Sequence, residues 1–126
     1  MVILFVEDIT RAKAFYATVF QTEPIYDEPN MVQFNVSNQK IGLMPEDAIL
    51  KTLSHRITRP RHDRRDPQME LYLYVDNPEL YYQRLIQAGG SQVSPLKERD
   101  WGDFVAYGID LDNHLLAFAT PSRNQD

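Results

Sequence analysis

The chain has 126 residues, 43% of them apolar, which suits one domain of ordinary size with a real core. No run approaches the ~20 apolar residues of a membrane span, and no basic stretch followed by an apolar one marks a signal peptide, so a cytoplasmic protein is expected. A net charge of −5 argues against general nucleic-acid binding, and the absence of cysteine removes disulfides, thiolate metal ligands and a cysteine nucleophile.

The first apolar run, Leu4-Phe5-Val6, leads into Glu7-Asp8 and then a helical pattern in which Ala12, Phe15 and Val19 share a face. Asp8 is a natural N-cap for that helix. Short strands follow at about 23–27, 30–36 and 39–45, with Pro29-Asn30 and Ser37-Asn38 as turns. One or two helical turns are predicted over Asp47–Leu53, and little regular structure from Ser54 to Gln68. Arg56, Arg59, Arg61, Arg64 and Arg65 fall within ten residues of that last stretch, opposed within those ten by Asp63 alone. Such a run either clamps a phosphate or carboxylate or is simply a solvated loop.

The same pattern then starts again. Leu73-Tyr74-Val75-Asp76 repeats Leu4-Phe5-Val6-Glu7 at a distance of 69 residues. Asn77-Pro78 opens a second helix with a capping residue and a proline at its first position, and Tyr81, Leu85 and Ala88 form its apolar face. Gly89-Gly90 supplies left-handed residues to end it. Strands are predicted at about 91–97, 103–109 and 113–119, with turns at Trp101-Gly102 and Asp112-Asn113. The closing strands Gln39–Met44 and His114–Ala119 align at an offset of 75. Each half therefore reads strand, helix and three strands.

Two stretches carry a family likeness. VEDITRAKAFYATVF resembles the strand-end acid and Phe-Tyr helix of the vicinal oxygen chelate superfamily, which includes glyoxalase I, bleomycin resistance proteins and extradiol dioxygenases. WGDFVAYGIDLDNHLLAFA is similar to that superfamily's Trp-Gly element, Asp-x-Asp-Gly-Asn hairpin and closing strand. Gln21 and Asn113 stand where the family usually has glycine. The resemblance implies an α+β fold of two βαβββ modules forming a mixed, curled eight-stranded cup with helices outside. It implies one glyoxalase/bleomycin-resistance-like domain over residues 1–126, with module one at about 1–46, a linker at about 47–68 and module two at about 69–121. It also implies a homodimer.

Metal enzymes of that superfamily draw four ligands from the first and last strand of each module. By position these fall at Met1, Gly42, Glu70 and Ala117. Glu70 alone is a donor for a hard or borderline divalent ion, since Met1 offers a thioether and the other two offer nothing. No metal and no other cofactor are therefore expected. Strand alternation then puts Phe5, Lys40, Met44, Glu70, Tyr72 and Tyr74 on the inner faces, with Trp101 at the rim. These seven residues are the candidate binding set for a small or flat organic ligand. The same aromatics on a strand face are equally consistent with plain packing.

Several further residues stay open. Glu70 is the one catalytic candidate, as a general base, but it can as well pair with Lys40 or the amino terminus. Trp101 with its flanking acids Asp100 and Asp103 suits a cationic ligand, or else Trp101 anchors the hairpin on the core and the acids bond within the turn. His55, His62 and His114 show no metal-ligand spacing among themselves. Three functions remain: a metal-free small-molecule binding protein of the bleomycin-resistance type, a metal-dependent lyase/isomerase or dioxygenase of the glyoxalase superfamily, and a dimeric structural module without ligand. Neither nucleic acid nor membrane is an expected partner.

Overall fold

The computed structural model describes residues 1–122. They fall into two compact units, Met1–Arg65 and a second that begins at Asp66. The first holds β1 (Val2–Val6), α1 (Ile9–Phe20), β2 (Tyr26–Glu28), β3 (Met31–Val36), β4 (Gln39–Pro45) and α2 (Glu46–Thr52). The second holds β5 (Glu70–Tyr74), α3 (Pro78–Gln87), β6 (Ser91–Glu98), β7 (Phe104–Ile109) and β8 (Leu115–Thr120). The fold is α+β, built of two βαβββ modules.

Each module forms one mixed four-stranded sheet, ordered β1-β4-β3-β2 in the first and β5-β8-β7-β6 in the second. The first and last strands of each module pair in parallel and the others antiparallel. The repeat extends to register. Val2 lies opposite Ile41, and Leu71 opposite Leu116, which are the same partners moved by the repeat offsets of 69 and 75.

Helix α1 starts where Asp8 accepts hydrogen bonds from the backbone of Thr10 and Arg11, satisfying two donors of the first turn. It buries Ala12, Phe15, Tyr16, Val19 and Phe20, and Phe20 meets Phe34 of β3 edge-on at 5.8 Å. Leu4, Val6, Ile41 and Leu43 are buried on alternate positions of the same sheet. In the second module Asn77 caps α3 through the Leu80 amide, and Pro78 occupies the first turn as predicted.

The buried stripe of α3 differs from the predicted one. Pro78, Tyr82 and Leu85 are buried, whereas Tyr81 and Ala88 are half-buried. Tyr81 flanks the stripe with its ring 5.6 Å from that of Phe118 and the Arg84 guanidinium over it at 5.3 Å. Strand β2 is also shorter than expected. It covers only Tyr26–Glu28, although the Ile25 amide already bonds to the Gln33 carbonyl at 2.8 Å.

Backbone conformation explains the helix and hairpin ends. Gln21 takes the left-handed conformation (φ 51°) that ends α1, holding it with a side-chain bond from Nε2 to the Thr18 carbonyl of 2.8 Å. Asn113 does the same at φ 70° in the last hairpin. There the buried Asp110 carboxylate accepts from the amides of Asp112 and His114 and contacts His114 Nδ1 at 2.7 Å. This clasp keeps 112–114 in a turn, so β8 begins at Leu115, two residues later than predicted. Only Gly89 of the Gly89-Gly90 pair has positive φ. Gly90 is needed for space instead, since a Cβ there would lie 2.6 Å from Leu85 Cδ2 and 2.8 Å from the Ile109 carbonyl oxygen.

Two substitutions test this reading by urea denaturation. Gly90→Ala overpacks a contact with the fully buried Leu85 and is expected to cost about 1–3 kcal/mol. Gln21→Gly relieves left-handed strain but loses the bond to Thr18, for a net gain of about 0.5 kcal/mol. Equal stability of the Gly90→Ala protein and the parent would contradict the packing argument.

Candidate functional site

The second sheet presents one face to α3 and the other to a polar network. Leu71 and Leu73 of β5 are buried, while Tyr72 and Tyr74 on alternate positions point the other way. Their rings meet edge-on at 5.5 Å. Both hydroxyls donate to one oxygen, Asp103 Oδ2, each at 2.7 Å. Asp103 is only 7% exposed, so its charge is held by these two donors. Trp101 Nε1 donates to the Tyr72 hydroxyl at 2.8 Å, completing a chain from indole to phenol to carboxylate. Behind it, Val105, Ala117 and Ala119 form a buried cluster on which Tyr72 and Tyr107 pack.

This geometry fixes protonation. Burial, and the bond to Asp103, raise the Tyr72 pKa well above the usual phenol value. Tyr74 is raised by its bond to Asp103 and by partial burial, and Tyr107 by burial and the nearby charge of Glu70. The tyrosines are therefore neutral donors rather than bases.

Beside the network, an open cleft of about 430 Å³ is lined by Lys97, Glu98, Arg99, Asp100, Trp101 and Tyr107. Trp101 is 58% exposed, so it does not anchor the hairpin on the core. The turn is held instead by backbone bonds between Arg99 and Asp103 and from Gly102 to Arg99, with Gly102 at φ 99°. Arg99 braces the cleft from one side. Its guanidinium lies 4.9 Å over the Tyr107 ring and donates to the Val105 and Pro95 carbonyls and to Ser94 Oγ. A larger hollow of about 740 Å³ lies by the start of α3, but Asn77 there is already engaged in capping.

The structure thus brings three of the seven candidate residues, Tyr72, Tyr74 and Trp101, into one network. Glu70 stands exposed at the start of β5, opposite Leu115. In the first module Phe5 and Met44 face each other across the β1–β4 pairing, while Lys40 is exposed opposite Asn35. Sequence reasoning took Asp103 for a ligand-facing or turn acid, and the structure makes it the acceptor at the centre. An acid two residues past a tryptophan, in a module that also carries a Tyr-x-Tyr strand, was the available signal.

The residues at Met1, Gly42, Glu70 and Ala117, the positions expected from the resemblance, do not form a donor set for a divalent ion. A Cβ on Gly42 would meet the side chains of Ile3, Met31 and Met1 at 3.2, 3.2 and 3.6 Å, so the surroundings are hydrocarbon and thioether. Ala117 is covered by Tyr72 and Tyr107, which leaves Glu70 as the one carboxylate of its pair.

A second cluster, in the first module, joins one histidine to carboxylates distant in sequence, so histidine spacing alone carries no sign of it. His62 Nε2 lies 3.0 Å from Glu46 Oε2 and 3.3 Å from Glu7 Oε2. Arg59 bonds to Glu46 and to Asp47, and Arg61 to Asp63 at 2.9 Å, so part of the arginine run is paired with acids of the first module.

Residues 1–121 match the family model of the glyoxalase-like domain. Among curated proteins none matches the chain. Solved structures do. A protein of unknown function from Agrobacterium tumefaciens is 24% identical with a TM-score of 0.77, covering 94% of this chain and 89% of that one. A glyoxalase/bleomycin resistance protein/dioxygenase family enzyme from Burkholderia phytofirmans is 20% identical with a TM-score of 0.75, over 95% of each chain. The fosfomycin resistance protein FosX from Listeria monocytogenes is 21% identical with a TM-score of 0.67, over 97% of this chain and 91% of that one. At these identities the likeness is one of fold, and among the described residues no helix is long and apolar enough to cross a membrane. With its repeated βαβββ modules and a family match over nearly its whole length, the chain belongs to the glyoxalase-like domain family.

Proposed function

We propose that the protein binds a small, flat aromatic molecule in the cleft beside Trp101, in the manner of a bleomycin-resistance protein and without a divalent ion at Met1, Gly42, Glu70 and Ala117. The observation that carries the reading is the Trp101–Tyr72–Asp103 chain. It fixes the edge of an exposed indole by a hydrogen bond while leaving much of its surface to solvent. A pre-positioned aromatic surface beside an open cleft binds flat ligands with little loss of side-chain entropy.

The acids no longer select a cation by themselves. Asp103 is committed to the tyrosines, and Glu98 and Asp100 are balanced by Lys97 and Arg99 around the cleft. Stacking, rather than net charge, is the selective term in this reading. The exposed Glu70 lacks the apolar enclosure that favours a general base, which weighs toward binding rather than catalysis. The same reading takes the molecule as a homodimer in solution.

Trp101 is the chain's one tryptophan, so its emission reports the site directly. Titration with a panel of flat aromatic compounds of either charge should give a saturable change in emission for at least one. Trp101→Ala should weaken that compound by about 3- to 10-fold in a thermal-shift titration. A broad panel without effect on emission or melting temperature would leave the structural-module reading in its place.

The network also predicts an alkaline limit. Because the folded state raises the Tyr72 pKa, its contribution is complete below the unfolded value of about 10 and is lost as pH rises through the higher folded value. Urea midpoints measured across this range should fall with pH in the parent and fall less in Tyr72→Phe. Identical slopes in the two proteins would show that Tyr72 is not the group responsible.

A further inference from the structure

The first module carries a second constellation that the ligand site does not use. We propose that Glu7, Glu46 and His62 form a binding site for a borderline divalent cation such as Zn²⁺, which ties the linker to the first module.

Strand pairing puts the two carboxylates together. β1 and β4 run in parallel with Val6 opposite Pro45 as their last pair, so Glu7 and Glu46 are the next residues out at the same ends of neighbouring strands. Glu46 is 1% exposed, although it carries a carboxylate. His62 arrives from the linker, beyond Arg59, which is itself held by Glu46 and Asp47.

The donor geometry then points to an ion. One ring nitrogen, His62 Nε2, has three carboxylate oxygens around it, at 3.0 and 3.1 Å on Glu46 and 3.3 Å on Glu7. A single N–H serves one such acceptor well, not three. The ligand atoms of the three residues all lie within 4.8 Å of one another. Donors bound at about 2.0–2.2 Å in a tetrahedron are separated by about 3.3–3.6 Å, so the observed spacing needs only small side-chain shifts. Two carboxylates and a neutral imidazole balance a +2 ion, and the imidazole favours zinc-like ions over magnesium or calcium. Three protein donors leave a fourth position for water.

Without an ion, Arg59 supplies part of the compensating charge through its bond to Glu46 Oε1 at 3.2 Å. On binding, the guanidinium gives up Glu46 and keeps Asp47.

The test uses the full chain, stripped of metal with a chelator and titrated with Zn²⁺ by calorimetry. The expected result is one ion per chain at neutral pH and a loss of more than about tenfold in both Glu7→Gln and His62→Ala. Both side chains are partly exposed, so the variants should fold, with circular dichroism as the check. His55→Ala and His114→Ala should bind as the parent does. Tryptic cleavage at Arg61, Arg64 and Arg65 should slow with Zn²⁺ in the parent but not in His62→Ala. No binding by the parent, or binding unchanged in Glu7→Gln or His62→Ala, would overturn the proposal.

Discussion

A single buried carboxylate oxygen, Asp103 Oδ2, receives the hydroxyls of two tyrosines that stand two residues apart on one strand. A charge with so little access to water is costly unless donors replace its hydration. The two phenols supply them, and in doing so they fix their own rotamers. Tyr72 then accepts from Trp101, which sets the orientation of the indole at the edge of the cleft. Removal of the acid would free all three rings at once, whereas loss of one ring would leave the others partly held.

The sheet makes this possible. Tyr72 and Tyr74 share a face because a strand alternates, and Ala117 and Ala119 on the neighbouring strand are small enough for the rings to lie over. The equivalent place in the first module carries Ile3 and Phe5 beside Gly42 and Met44. Its lining is therefore apolar where the second module's is polar. One repeat has thus produced two unlike surfaces on the same register.

The repeat, the caps and the strand faces were legible in the sequence because each depends on local chemistry. Asp8 and Asn77 read as caps from type and position, and the offsets of 69 and 75 anticipated the sheet register. Left-handed Gln21 could be flagged only as standing in place of a glycine. The partners of Asp103 and His62 were not legible, since both are set by chain segments distant in sequence. Asp103 bonds across 31 residues to Tyr72, and His62 across 16 to Glu46. Neither pairing leaves a periodic signature. The α3 stripe runs through Tyr82 rather than Tyr81, and two adjacent tyrosines give the sequence no chemical difference by which to choose between them.

The most direct measurement is a double-mutant cycle on folding stability with Tyr72→Phe and Asp103→Asn. A charge-assisted bond to a buried carboxylate predicts a coupling of about 1.5 kcal/mol or more between the two sites. Additive effects, within about 0.5 kcal/mol, would mean that Asp103 does not hold the tyrosine and that the aromatic surface is not ordered by it.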